Sequence, residues 1–232
     1  MASIDRAAPA APGPARSVAP ARRRKPLLLH AAAKPIVFVA CLLPFAWLLY
    51  GAISSVYGVN TLGANPAETL IRATGDWTLR MLCITLAVTP VRNWITQPAL
   101  ARFRRMFGLF TYFYGCVHFL CYSWLDMGLV LDDILHDIAK RPFILVGTSA
   151  LLLMSPLAAT SFNRAIKTLG PARWQALHRA IYAVVLLALL HFFWMRSAKS
   201  NYAEVAVYAA VVASLLGWRV VTRARAARRA AA

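Results

Sequence analysis

Residues 174–194 read WQALHRAIYAVVLLALLHFFW. Crossing the hydrocarbon core of a bilayer takes about 20 apolar helical residues, and this stretch meets that length while carrying His178 and His191. An ionisable ring inside hydrocarbon is costly, so it is normally paired or functional. The surroundings that the rest of the chain offers these two rings set both the fold and the chemistry.

The chain has 232 residues, of which 60% are hydrophobic and 15% charged, against roughly 25% charged in soluble domains. Its apolar residues fall in six long blocks, approximately 35–56, 76–95, 106–125, 143–162, 175–195 and 203–221, and not in the short alternating runs of strands. The expectation is an all-α integral membrane bundle of six transmembrane helices over residues 35–221. A disordered, basic, Ala/Pro-rich tail (1–34) precedes it and a basic tail (222–232) follows. Pro44 and Pro156 lie inside blocks one and four, where membrane helices tolerate kinks. The run RRRKPLLLH (22–30) has features of a twin-arginine export signal. The block after it is long for a signal peptide and GAISSVYG (51–58) is a poor cleavage site, so a retained first span is expected.

A formal net charge of +18 raises nucleic acid as a partner, but the basic residues flank the blocks and form no basic helix with interleaved aromatics. Assigning the N-terminal tail to one side and alternating gives that side the tail arginines, Arg92, Arg102, Arg104 and Arg105. It also receives Arg164, Lys167, Arg173 and Arg179, and the C-terminal Arg219, Arg223, Arg225, Arg228 and Arg229. The other side holds Arg72, Lys140, Arg141, Arg196 and Lys199, with Arg80 just inside a span, and every acidic residue except Asp5. The positive-inside rule then puts both termini in the cytoplasm of a multi-pass membrane protein. The outer segment GLVLDDILHDIAKRP (128–142) places Leu131, Ile134, Leu135 and Ile138 on one stripe, as in a short amphipathic helix. That helix is either a solvated loop element or a docking surface. Cys41, Cys83, Cys116 and Cys121 sit in apolar blocks and read as packing residues. The absence of Cys-x-x-Cys-His excludes covalent c-type haem.

His30 and His136 fall in solvent-exposed flanks, whereas His118, His178 and His191 belong to spans three and five. His118 lies 13 positions after Arg105, and His191 lies 12 after Arg179. At about 1.5 Å per residue these are rises of roughly 20 and 18 Å. The two imidazoles therefore come to one level, in the outer half of the membrane. Two neutral imidazoles on neighbouring helices suit a six-coordinate iron porphyrin that exchanges electrons. Zinc would want further ligands at that level, where the sequence offers only Cys116 and Cys121. Haem b, held without covalent attachment, is the better fit.

His178 sits nearer the cytoplasm, where a second haem could stack below the first. A 13-residue step turns about 140° on an ideal helix, so both histidines of span five face span three only if that span is distorted. The residues of span three at His178's level are Arg104 and Arg105. These are topology anchors, or contacts for haem propionates or a flavin phosphate. Asp76 and Arg80, spaced i,i+4, can pair on one helix face. Their role is span positioning, a propionate contact, or docking of an outer reductase.

The segments TGDWTLRMLCITLAVTPVRNW (74–94), RRMFGLFTYFYGCVHFLCY (104–122), KRPFILVG (140–147) and LGPARWQALHRAIYAVVLLALLHFFW (169–194) closely resemble the MsrQ (YedZ) family. These are haem-binding membrane subunits of the bacterial system that repairs oxidised methionine in envelope proteins, within the ferric-reductase-like transmembrane group. The resemblance covers about residues 35–220. It implies that His118, His178 and His191 are haem-associated, and that FMN is a further cofactor. It also implies that electrons pass from the quinone pool or a cytoplasmic flavin reductase to MsrP, a periplasmic molybdopterin methionine-sulfoxide reductase. The wider group carries two histidines on each of two helices, whereas this chain has one on span three and two on span five. With no Rossmann glycine fingerprint, a separate electron donor is required.

The leading expectation is therefore an electron-transfer subunit with no substrate chemistry of its own. A stand-alone ferric-chelate or quinone-linked reductase is the alternative. A transporter or scaffold, with its histidines as proton relays or packing residues, is the third reading.

Overall fold

The computed structural model describes residues 31–197 and 202–231. The expected N-terminal tail up to His30, with its arginine run, lies outside the described residues, as does Lys199. Every element among the described residues is helical. Helix α1 (Ala33–Val56) is followed by α2 (Pro66–Trp94), a 3-10 turn (Pro98–Phe103) and α3 (Arg104–Cys121), which ends in a π-turn (Tyr122–Asp126). Next come α4 (Leu131–Lys140), α5 (Pro142–Ala159), α6 (Asn163–Leu169), α7 (Pro171–His178), α8 (Ile181–Ser197) and α9 (Ala203–Ala231).

All six apolar blocks are helical. Among the described residues, four segments are long and apolar enough to cross a membrane: α1, α5, α7 with α8, and α9. Blocks two and three form α2 and α3, which fall outside that class. Helix α2 carries Glu68, Arg72, Asp76, Arg80 and Arg92, and α3 opens with two arginines. The apolar helices turn large side chains outward. Ile36, Leu43 and Trp47 of α1, Leu152 of α5 and Leu186 of α8 are all more than half exposed. A surface so apolar is stable only against lipid, so the chain is a membrane protein. Helix α9 continues to Ala231, ten residues past the expected end of the last block, because its Ala/Arg-rich extension consists of good helix formers.

Helix α2 is the hub. Asn65 caps it by accepting the Glu68 amide at 3.1 Å, with Pro66 in the first turn, where a missing N–H costs nothing. Its Leu79, Leu82 and Leu86 pack against Val184, Val185 and Phe192 of α8 and Val205 and Val212 of α9. Lipid offers apolar groups no worse a home than a neighbouring helix does, so close packing has to hold the bundle. Gly115 of α3 supplies such closeness, since a Cβ there would meet Met154 of α5 at 3.2 Å.

Helix α1 is attached through a polar insertion. The fully buried Tyr114 hydroxyl donates to the Cys41 carbonyl at 2.8 Å and accepts the Phe45 amide at 3.1 Å. It thus replaces one rung of the α1 ladder beside Pro44, an insertion of the kind that bends helices. Cys41 and Cys83 are buried, Cys116 and Cys121 half-buried, and all four are free thiols.

Within residues 128–142 the expected amphipathic helix forms, α4. Ile134 packs with Tyr122 and Ile144, while Leu131 and Leu135 of the same stripe stay exposed. Arg141 and the Tyr122 hydroxyl both bond the Asp137 carboxylate. Burial alone would raise the pKa of that carboxyl, but these hydrogen bonds outweigh it and hold the group below the usual carboxylate range.

Candidate functional site

Helices α2, α3, α5 and α8 enclose a cavity of about 480 Å³, within the range of small-molecule and cofactor sites. His118 of α3 and His191 of α8 line it from opposite sides. Their ring centroids are 6.1 Å apart, with planes inclined at 73°. His118 Nδ1 lies 2.8 Å from the Ile71 carbonyl of α2, and His191 Nδ1 lies 2.6 Å from the Phe143 carbonyl of α5. A carbonyl can only accept, so each Nδ1 carries the proton and each Nε2 keeps a free lone pair. Neither Nε2 has a hydrogen-bond partner among the described residues.

This donor set fits a bis-imidazole metal. His118 and His191 would hold such a metal through the Nε2 lone pairs that their Nδ1 contacts leave open. An outer hydrogen bond from Nδ1 to a carbonyl is the usual support for such a ligand. The cavity wall is otherwise mostly apolar, with Leu79, Phe119, Ile144, Leu151, Met154 and Phe192, as a porphyrin face requires. No group of three or more His, Cys, Asp or Glu gathers among the described residues, whereas a structural zinc wants four ligands.

The cavity wall also carries charged residues. Arg72 and Arg141 line the rim with Glu68 and Asp126. Arg72 is paired to Glu68, and Arg141 to Asp137. Arg80, the expected carboxylate contact, does not line this cavity. It donates to the Tyr208 hydroxyl of α9 at 3.3 Å and lies over the Trp77 ring. Asp76 does line the cavity, and its ion-pair partner is Arg196, at 3.8 Å, which also holds Glu204 at 2.6 Å. The i,i+4 spacing brings Arg80 to the right face, but an arginine from α8 reaches the carboxylate instead, a tertiary contact that spacing cannot reveal.

His178 belongs to a second, smaller cavity of about 280 Å³, with Arg92, Arg104, Arg105, Tyr112 and Trp174 in its wall. The imidazole stacks on Trp174 at 3.8 Å between centroids and hydrogen-bonds the Trp174 carbonyl through Nδ1 at 3.1 Å. Its Nε2 is buried near the Leu157 carbonyl without a hydrogen bond of normal geometry. Arg105 donates to the Asn163 side chain at 2.7 Å. The distortion required of span five is present. The helix breaks at Arg179–Ala180, where the Arg179 amide is shared between the Gln175 and Ala176 carbonyls and the Ala180 and Tyr182 amides bond three residues back. His178 and His191 thereby each border a cavity shared with α3, about one above the other along the bundle.

Residues 74–189 match the family described as ferric reductase like transmembrane component. Among curated proteins, the chain is 63% identical over 206 residues to the protein-methionine-sulfoxide reductase haem-binding subunit MsrQ of Polaromonas naphthalenivorans, covering 89% of this chain and 92% of that one. It is 52% identical to the MsrQ subunit of Bordetella pertussis, over 81% and 88% of the two chains. The MsrQ subunit of Ralstonia nicotianae is 48% identical, over 84% and 88%. No solved structure matches the chain.

Proposed function

The chain belongs to the family of MsrQ haem-binding subunits, within the ferric-reductase-like transmembrane proteins; on that premise we propose that it is a haem b electron-transfer subunit of the bacterial inner membrane. It delivers electrons to the periplasmic molybdopterin reductase MsrP and performs no sulfoxide chemistry itself. The observation that carries this reading is the 6.1 Å opposition of the His118 and His191 rings. Haem b, when bound, would supply one-electron redox chemistry. His118 and His191 would hold it through Nε2, while Arg72 and Arg141 at the rim are the cations suited to carboxylate groups at its edge. The apolar wall excludes water, which keeps the iron site dry and tunes its potential.

The second cavity extends the proposal toward the cytoplasm. With both termini inside and six spans, Arg92, Arg104 and Arg105 lie on the inner side. Three arginines and a tryptophan-stacked imidazole suit a planar, anionic cofactor, either FMN through its phosphate or a second haem through its propionates. The quinone pool or a cytoplasmic flavin reductase would feed that end.

Reduced-minus-oxidised spectra of the purified full-length chain test the reading. A bis-histidine haem gives sharp visible bands on reduction. The bands should vanish in His118→Ala and in His191→Ala and persist in His136→Ala, whose ring is exposed on α4. A wild-type chain without haem, or bands that survive loss of His118 and His191 together, refutes it.

A further inference from the structure

The two facing imidazoles are seated in the same way on two different helices. His118 rests on the Ile71 carbonyl of α2, and four residues further along α2 stands Gly75. His191 rests on the Phe143 carbonyl of α5, and four residues further along α5 stands Gly147. The separations from carbonyl to histidine are nearly equal, 47 and 48 residues. Residues i and i+4 lie one above the other on a helix face, so each ring covers a carbonyl and the glycine directly above it. A helical carbonyl has a second lone pair to offer beyond its own ladder bond. The ring reaches that lone pair only if no side chain stands in the way.

Gly75 and Gly147 meet this condition to different degrees. A Cβ on Gly147 would fall 2.7 Å from His191 Nδ1 and 2.8 Å from its Cε1. Real Cβ atoms do not approach so closely, so one methyl group would displace the ring. A Cβ on Gly75 would fall 3.1 Å from His118 Cε1 and 3.2 Å from Nδ1, which a small shift could relieve. Glycine within a helix costs roughly 0.5–1 kcal/mol relative to alanine. These two positions carry that cost where an imidazole needs the space.

We infer that Ile71–Gly75 and Phe143–Gly147 form a matched pair of cradles that position the His118 and His191 rings, commit each Nδ1 to a backbone acceptor and leave each Nε2 facing the shared cavity. The glycines are positioning residues, and Gly147 is the more stringent. The inference rests on the haem reading of the same cavity. In another haem protein a side-chain partner could supply the Nδ1 contact, but here it is backbone, so mutation of the acceptor cannot remove it. At His118 the Thr74 hydroxyl also stands beside this contact, 3.5 Å from Nδ1 and 3.0 Å from the Ile71 carbonyl, whereas the glycines act on the rings through space alone.

The experiment compares Gly147→Ala, Gly75→Ala and Gly217→Ala with wild type in the purified full-length chain. A Cβ at Gly217 of α9 meets nothing within 4 Å, so that variant controls for a helix glycine with no ring upon it. Haem per chain, the low-spin signals in electron paramagnetic resonance, and helix content by circular dichroism are recorded for each. Gly147→Ala should keep its helix content but bind haem about 10–100-fold more weakly, the usual cost of losing an outer partner of a metal ligand, with the low-spin signal lost or shifted. Gly75→Ala should bind haem with a smaller loss and displaced g-values. Gly217→Ala should match wild type. Wild-type haem content and g-values in Gly147→Ala overturn the cradle while leaving the haem reading intact. If Gly147→Ala does not accumulate, unchanged g-values in Gly75→Ala overturn it equally. A wild-type chain that holds no haem refutes the underlying reading instead.

Discussion

Arg219 of α9 donates through Nη2 to the Leu86 carbonyl of α2 at 2.7 Å, and Pro90 stands four residues after Leu86. In a regular helix that carbonyl would accept the amide of residue 90, which proline lacks. A cation from another helix thus satisfies the acceptor that proline leaves open. Arg219 is buried and lies over the Tyr182 ring of α8, so one side chain joins three helices.

Removing Arg219 should therefore cost more in the presence of Pro90 than in its absence. Arg219→Leu leaves a buried carbonyl unpaired, a penalty of about 1–3 kcal/mol. In a Pro90→Ala background the ladder supplies its own amide and the penalty should shrink. Unfolding midpoints of the four chains in detergent give the coupling energy. Additive effects would show that the arginine serves some purpose other than the proline gap.

Arg196 joins α2 to α9 through Asp76 and Glu204. Because Asp76 borders the upper cavity, Arg196→Gln should leave a carboxylate without its ion-pair partner beside the histidine pair and destabilise the chain by ~1–3 kcal/mol. Adding Asp76→Asn removes that charge and should restore part of the loss. A double variant less stable than Arg196→Gln alone would count against this assignment.

The depressed pKa of Asp137 gives α4 a defined pH dependence. A carboxyl whose folded pKa lies below its unfolded value, about 3.9, stabilises the fold fully above that value. The contribution fades as pH falls through the folded pKa. Hydrogen exchange in α4 should thus be slower in wild type than in Asp137→Asn at neutral pH, and the two should converge under strongly acidic conditions. Equal exchange at neutral pH would remove the Arg141 and Tyr122 contacts from the account of α4.

His178→Ala separates the two cavities. His178 borders the lower cavity and not the upper one, so the haem signal dependent on His118 and His191 should persist while flavin or second-haem content falls. Loss of all haem in this variant would mean that the lower site supports the upper.

Much of this arrangement could be read from residue order. The apolar blocks foretold the helices because hydrophobic length and periodicity are local properties. The level of His118 and His191 followed from counting rises from Arg105 and Arg179, because an α-helix is a ruler. The glycines were visible in TGDWTLR and KRPFILVG, where a helix-weakening residue inside a long helix is a signal in itself. Their meaning was not visible, since it depends on which ring lies over which backbone.

Chain chemistry alone settled that this is a helical membrane protein, for composition and spacing act along one segment at a time. The packing of segments decided the remainder: that Asp76 meets Arg196, that Arg72 and Arg141 edge the cavity in place of Arg80, and that the turn at Arg179–Ala180 lets His178 and His191 both border α3. Each of these joins residues far apart in the chain, and such pairings arise only when helices settle against one another with the azimuth and depth that close packing allows.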